Sequence, residues 1–190
     1  MASVYGVQRV CISSQFRIFA EGNVPDELLL ATLDKLELPV ETVYRGEDFD
    51  LGGGAVINVL WPDPGCDMDV NNTGLVLRLR FANRTVLFPA DIQDPAMKGL
   101  LTSPDQLAAD VLVAAHHGSS EKSTPAFLKA VHPQFIVSSN AARLTGKQRR
   151  FDTMAGKTPL YRTNKCGAIT ITIKSSGAIS VSTFLRPEQK

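Results

Sequence analysis

Histidine and cysteine are both scarce in this chain, with three of each among 190 residues. Cys11, Cys66 and Cys166 are widely spaced and odd in number. They form no close-spaced metal motif and no complete disulfide framework, so reduced side chains are expected. No stretch reaches the roughly 18–20 apolar residues that cross a bilayer, and no transmembrane segment is expected. The opening Met1-Ala2-Ser3-Val4-Tyr5 lacks the basic region and apolar segment of an export signal. A soluble chain follows as the expectation, cytoplasmic by default. Charge of one sign is also missing, since 20 Lys and Arg face 19 Asp and Glu, a net +1. That balance gives no broad attraction to nucleic acid or anionic lipid, although a small basic groove stays open.

Several motifs fail on inspection. Gly52-Gly53-Gly54 lacks the Lys and the Ser or Thr of a phosphate loop and reads as a tight turn. Asp67-Met68-Asp69-Val70-Asn71 starts like a calcium loop, yet Asn72 stands where that loop needs glycine and Arg78 where it needs glutamate. A polar loop is the better reading. Ser119 has no sequence-readable nucleophile elbow, which leaves acyl transfer unsupported.

What remains is an ordinary globular composition, 44% apolar and 21% charged. Short strands are expected at Gly6–Cys11, Val40–Tyr44, Ala55–Trp61, Val111–Ala115 and Phe135–Ser139. Gly46 to Asp50 reads as a polar turn. Leu75 to Arg80 alternates and Thr85 to Phe88 returns, a hairpin bent at Phe81–Arg84. A second hairpin joins Ala168–Ile173 to Ala178–Phe184 around Ser175-Ser176-Gly177. Helices are expected over Pro25–Leu36, with Asn23 and Asp26 as a capping pair and Leu28, Leu29, Leu30, Leu33 and Leu36 as a wide apolar face. Others start at Asp94-Pro95 and Thr124-Pro125. Lys147, Arg149 and Arg150 read as a solvated helix face or as phosphate contacts. Mixed strands and helices favour layered α/β, or α+β by some schemes, over a helical bundle. The whole chain, 1–190, is expected to be one domain or the larger part of one.

The one site-like signature is His116-His117-Gly118-Ser119-Ser120, placed where the apolar run Val111 to Ala115 gives out. Two imidazoles on a flexible turn at a strand end suggest nitrogen ligands for a metal. The third histidine, His132, reads as an exposed turn residue at a helix-to-strand junction.

Ordered features carry a resemblance over roughly Val7 to Phe184. They are Asp50-Leu51-Gly52-Gly53-Gly54 before a strand ending Leu60-Trp61-Pro62, then Asn71-Asn72-Thr73-Gly74-Leu75-Val76-Leu77. Leu87-Phe88-Pro89-Ala90-Asp91, Ala109-Asp110 through Gly118-Ser119, and Leu160-Tyr161-Arg162-Thr163 with Gly167-Ala168-Ile169-Thr170-Ile171 complete the set. The sequence resembles the carboxyl-terminal portion of the metallo-β-lactamase-like domain of the ComEC DNA-internalisation competence family. The resemblance implies an αββα sandwich with metal ligands on loops at one sheet edge. It carries Asp91 to a metal-bridging carboxylate and the His116-His117 pair to a later histidine ligand. Gly118 favours His117 as the direct ligand, although the sequence leaves the choice open. Asp110 and Ser119 become candidates for orienting those ligands.

Asp oxygen and His nitrogen together suit zinc or manganese better than calcium alone. The family's His-x-Asp-x-Asp-His segment and its later His-Pro motif are both absent. A partial sandwich lacking its amino-terminal metal-ligand segment is therefore expected. Three functional expectations follow. The chain is a truncated or degenerate hydrolase domain, not catalytic alone. Alternatively, an upstream domain or partner subunit completes a metal-dependent phosphodiesterase. A third reading is a non-catalytic DNA-binding or structural module. The resembled family is membrane-associated.

Overall fold

The computed structural model describes residues 6–185. Strand β1 (Val10–Ile12) leads into helices α1 (Phe16–Ala20) and α2 (Val24–Lys35) and returns as β2 (Val40–Thr42). β1 and β2 pair in parallel as a separate two-stranded unit. Then come β3 (Asp48–Gly52), β4 (Ala55–Trp61), β5 (Val76–Phe81) and β6 (Arg84–Phe88). Helix α3 (Asp94–Leu100), β7 (Val111–Val113), α4 (Thr124–Val131), β8 (Phe135–Ser138), α5 (Gly146–Ala155) and β9 (Leu160–Arg162) follow. Helix α6 (Thr163–Cys166) and the hairpin β10 (Ile169–Ile173) and β11 (Ile179–Thr183) close the chain.

Strands β3 to β9 form one seven-stranded sheet in sequence order. β3 to β6 run antiparallel, while β6 to β9 run parallel. The change follows from loop content. Ala82 and Asn83, both at positive φ, turn β5 directly into β6. After β6 every return carries a helix, and that length of chain lets the next strand lie parallel. The result is the mixed α/β architecture expected from the sequence.

Alternation then separates two apolar faces. Leu87, Leu112, Ile136 and Leu160 stand in one register row across β6 to β9. The first three are essentially inaccessible to solvent and join the core with Met97, Leu100, Phe127 and Phe151 from the helices. Burying each such aliphatic side chain stabilises by roughly 1.5–3 kcal/mol. Trp61 lies under α3, and a Cβ at Gly99 would sit 2.7 Å from its ring, so only glycine allows that approach. On the opposite face, Leu79, Phe81, Phe88 and Val113 join Ile169 and Ile171 of the hairpin around a cavity of about 580 Å³. The two-stranded hairpin covers this face only in part, and Phe88 is 39% exposed.

Three expectations need correction. Gly46 to Asp50 is not merely a turn. Asp48 begins β3, an edge strand whose Asp48 carboxylate accepts from the Asn58 side chain of β4. Asn23 occupies the position before α2 but makes no side-chain cap there. The wide leucine face of α2 is mostly not a core face, because Leu33 is buried whereas Leu28, Leu29 and Leu36 are exposed.

Candidate metal centre

The carboxyl-terminal ends of parallel strands in an open α/β sheet form a crevice that suits ligands. Here β6 delivers Asp91, β7 delivers His116 and His117, β8 delivers Asn140, and β9 ends at Arg162. Ala90 takes a positive φ of 52°, and its carbonyl accepts a 3.1 Å bond from His116 N. That bond ties the ends of β6 and β7 together.

His116 (φ 47°, ψ 47°) and His117 (φ 55°, ψ 32°) are both left-handed, and Gly118 continues at φ 70°. Non-glycine residues held there cost on the order of 1–3 kcal/mol each, so surrounding bonds must hold the turn. Those bonds are present. Asn140 Nδ2 donates to His117 O at 2.9 Å, and Gln148 Nε2 donates to it at 3.2 Å. Ser119 N donates to His116 O at 2.9 Å.

The turn brings His117 Nε2 to 3.7 Å from Asp91 Oδ2. Both side chains are about half exposed, so the pair contributes little to stability, roughly 0–1 kcal/mol. His116 turns elsewhere. Its Nδ1 meets Gln93 Nε2 at 3.2 Å, with the ring centroids of the two histidines 6.5 Å apart. With the amide nitrogen facing the ring, this contact is a hydrogen bond when the neutral ring carries its proton on Nε2 and Nδ1 accepts. A metal bond at Nε2 would require Gln93 to present its carbonyl oxygen instead.

Gln93 is set by a residue far away in sequence. Buried Asn72 accepts at Oδ1 from Gln93 N at 2.9 Å and from Ala96 N at 3.3 Å. It therefore caps α3, which has no cap from its own preceding side chain. Trp61 Nε1 donates to Asn72 O at 2.7 Å, and Asn72 Nδ2 donates to Asp69 Oδ1 at 2.8 Å. At the first position of the same helix, Asp94 is held well below the ordinary carboxylate range, at about 2, first by Lys98 and then by Ser123.

The other expected site residues are elsewhere or engaged. Asp110 lies at the start of β7, whereas His116 lies beyond its end. Asp110 accepts from Arg84 Nη1 (3.0 Å), Thr85 N (2.8 Å) and Gln134 Nε2 (2.6 Å). It ties the beginnings of three strands on the opposite rim and does not orient the histidines. Ser119 is adjacent through its backbone bond to His116. Lys147 pairs with Glu121 at 2.8 Å, Arg149 donates to Leu144 O, and Arg150 is exposed. His132 is the exposed left-handed residue that ends α4.

A catalytic zinc commonly takes three protein ligands and an open position. Among the described residues, no group of three or more His, Cys, Asp or Glu side chains gathers as a metal cage. Asp91 and His117, with His116 turned toward Gln93, do not fit that requirement. Also among the described residues, no helix is long and apolar enough to cross a membrane.

The chain matches no protein-family model and no curated protein. Among solved structures it is similar to a protein from Parabacteroides distasonis named "Putative metal-dependent hydrolase", with 10% identity and a TM-score of 0.44. The match covers 70% of this chain and 60% of that one. A likeness this slight says nothing about chemistry.

Proposed function

We propose that the chain is a portion of a metallo-β-lactamase-like hydrolase domain, related to the DNA-uptake competence proteins, that is not catalytic alone. The observation that carries this reading is the meeting of Asp91 and His117 at 3.7 Å on one strand-end rim, with no third donor of their kind gathered beside them among the described residues. Ordered sequence motifs and the layered sheet support it. Two-metal phosphodiester hydrolysis needs enough groups to hold both ions beside one phosphate, and two donors do not supply them. The test is hydrolysis of bis-p-nitrophenyl phosphate by the purified chain with added manganese or zinc. No turnover above the Asp91→Ala variant is expected. Turnover that Asp91→Ala abolishes would overturn the reading.

A second reading is favoured by the half-covered apolar face of the large sheet. On it, an upstream segment or partner subunit lies across Leu79, Phe81 and Phe88 and completes both the sandwich and the ligand set. Such a complex would turn over the same ester with manganese, and a partner supplying no histidine or carboxylate beside Asp91 would contradict it. A DNA-binding role has weaker support, because Lys147 and Arg149 already have partners within the chain.

A further inference from the structure

We infer that Arg162 is the positioning residue of the Asp91–His117 pair. Its side chain is 3% exposed, and a buried guanidinium stays charged, so each donor must find an acceptor. Arg162 Nη1 donates to Ser138 Oγ at 3.1 Å and to Asn140 Oδ1 at 2.6 Å. Nη2 donates to Gln148 O at 3.0 Å, and Nε donates to Asp152 Oδ1 at 3.0 Å. One cation thus grips the end of β8, the loop after it and helix α5.

Two of those partners are the groups that hold His117. Asn140 accepts from Arg162 through Oδ1 and donates through Nδ2 to His117 O. Gln148 offers its backbone carbonyl to Arg162 and its Nε2 to His117 O. The Gln148 side chain is also fixed by the cap of α5, where Oε1 accepts from Thr145 N at 2.9 Å. Both amides are therefore oriented before they reach the histidine. Space points the same way, since a Cβ on Gly118 would lie 3.1 Å from Ser138 Oγ and 3.2 Å from Arg162 Nη1. The left-handed turn rests on the guanidinium, and its carbonyl is clamped by the Asn140 amide, which the guanidinium aligns, and by the Gln148 amide, whose backbone the guanidinium grips and whose side chain the α5 cap aligns. What Arg162 sets is the direction in which the His117 ring leaves the backbone.

The chemical meaning of this role rests on reading Asp91 and His117 as one donor pair. The positioning itself is testable without metal, by following the ring signals of the chain's three imidazoles by NMR. In the otherwise unaltered chain, Asp91→Asn should shift the His117 ring resonance and leave His132 unmoved. The double variant Asn140→Asp, Gln148→Glu keeps acceptors for Arg162 and for Thr145 N but removes both donors to His117 O. In that background the Asp91-dependent shift should be lost, and Arg162→Lys should lose it too. If Arg162→Lys does not fold, the Asn140 and Gln148 pair carries the test. Persistence of the shift in the folded variants, or its absence from the unaltered chain, would overturn the inference. A shift that behaves as expected, together with a chain whose Asp91 has no bearing on metal binding, would leave Arg162's role standing and remove the proposed function.

Discussion

Gly118 is constrained twice at the rim. Its φ of 70° disfavours a side chain, and the space a Cβ would fill belongs to Ser138 and Arg162. Gly118→Ala should destabilise the chain by about 1–3 kcal/mol, read as a lowered urea midpoint at unchanged slope. Asp94 makes a pH prediction. Its carboxylate is held by Lys98 Nζ at 2.6 Å and Ser123 N at 2.7 Å, which depresses its pKa to about 2. A depressed carboxylate adds stability that is present above the ordinary carboxylate range and is lost as pH falls through the folded value. Relative to Asp94→Asn, the unaltered chain should therefore lose its advantage between about pH 4 and pH 2, measured by thermal melts across that range. Burial pushes the Cys66 thiol above its ordinary pKa, with Asp63 and Asp67 adding to the effect. The thiol is accordingly poorly placed as a nucleophile.

Among the elements, α3 is the lever between sheet and site. It packs Gly99 against Trp61 and takes its cap from Asn72, which also accepts from the Trp61 indole. Gly99→Ala should force the ring to move, at a cost of roughly 1–3 kcal/mol. Because Trp61 is the sole tryptophan, the shift would appear directly in intrinsic fluorescence. An unchanged spectrum and midpoint would mean that helix and ring are not in contact. The sequence made some elements readable and concealed others for physical reasons. β4 spans the expected Ala55–Trp61, since an apolar run broken only by Asn58 and bounded by Gly and Pro has few alternatives. β3 was hidden because an edge strand can be polar, and only its pairing with β4 makes it a strand. The leucines of α2 display helical spacing, but spacing does not say what a face packs against. Asp91 and the two histidines were readable as strand-end residues. Gln93, Asn140, Gln148 and Arg162 were not, because their roles arise from contacts that link distant parts of the chain. Asp110 misled for the complementary reason: nearness to His116 in sequence spans a strand and reaches the opposite rim.

The molecule as a whole joins a well-covered sheet face, a partly covered one and the strand-end rim that holds Asp91 and His117. Helices bury one side of the large sheet, while a two-stranded hairpin leaves the other with an apolar cavity. The rim between them gathers a carboxylate and an imidazole, and among the described residues no third donor joins them. These features give the proposed hydrolase portion a fold and two candidate ligands, without a complete reaction centre among the described residues. The most direct measurement is a manganese titration of the purified chain followed on its three imidazole NMR signals. Paramagnetic broadening should reach His117 and, more weakly, His116, leave His132 sharp, and disappear in Asp91→Ala. Broadening that ignores Asp91, or that falls on His132 alone, would contradict the claim that this rim is half of a metal centre.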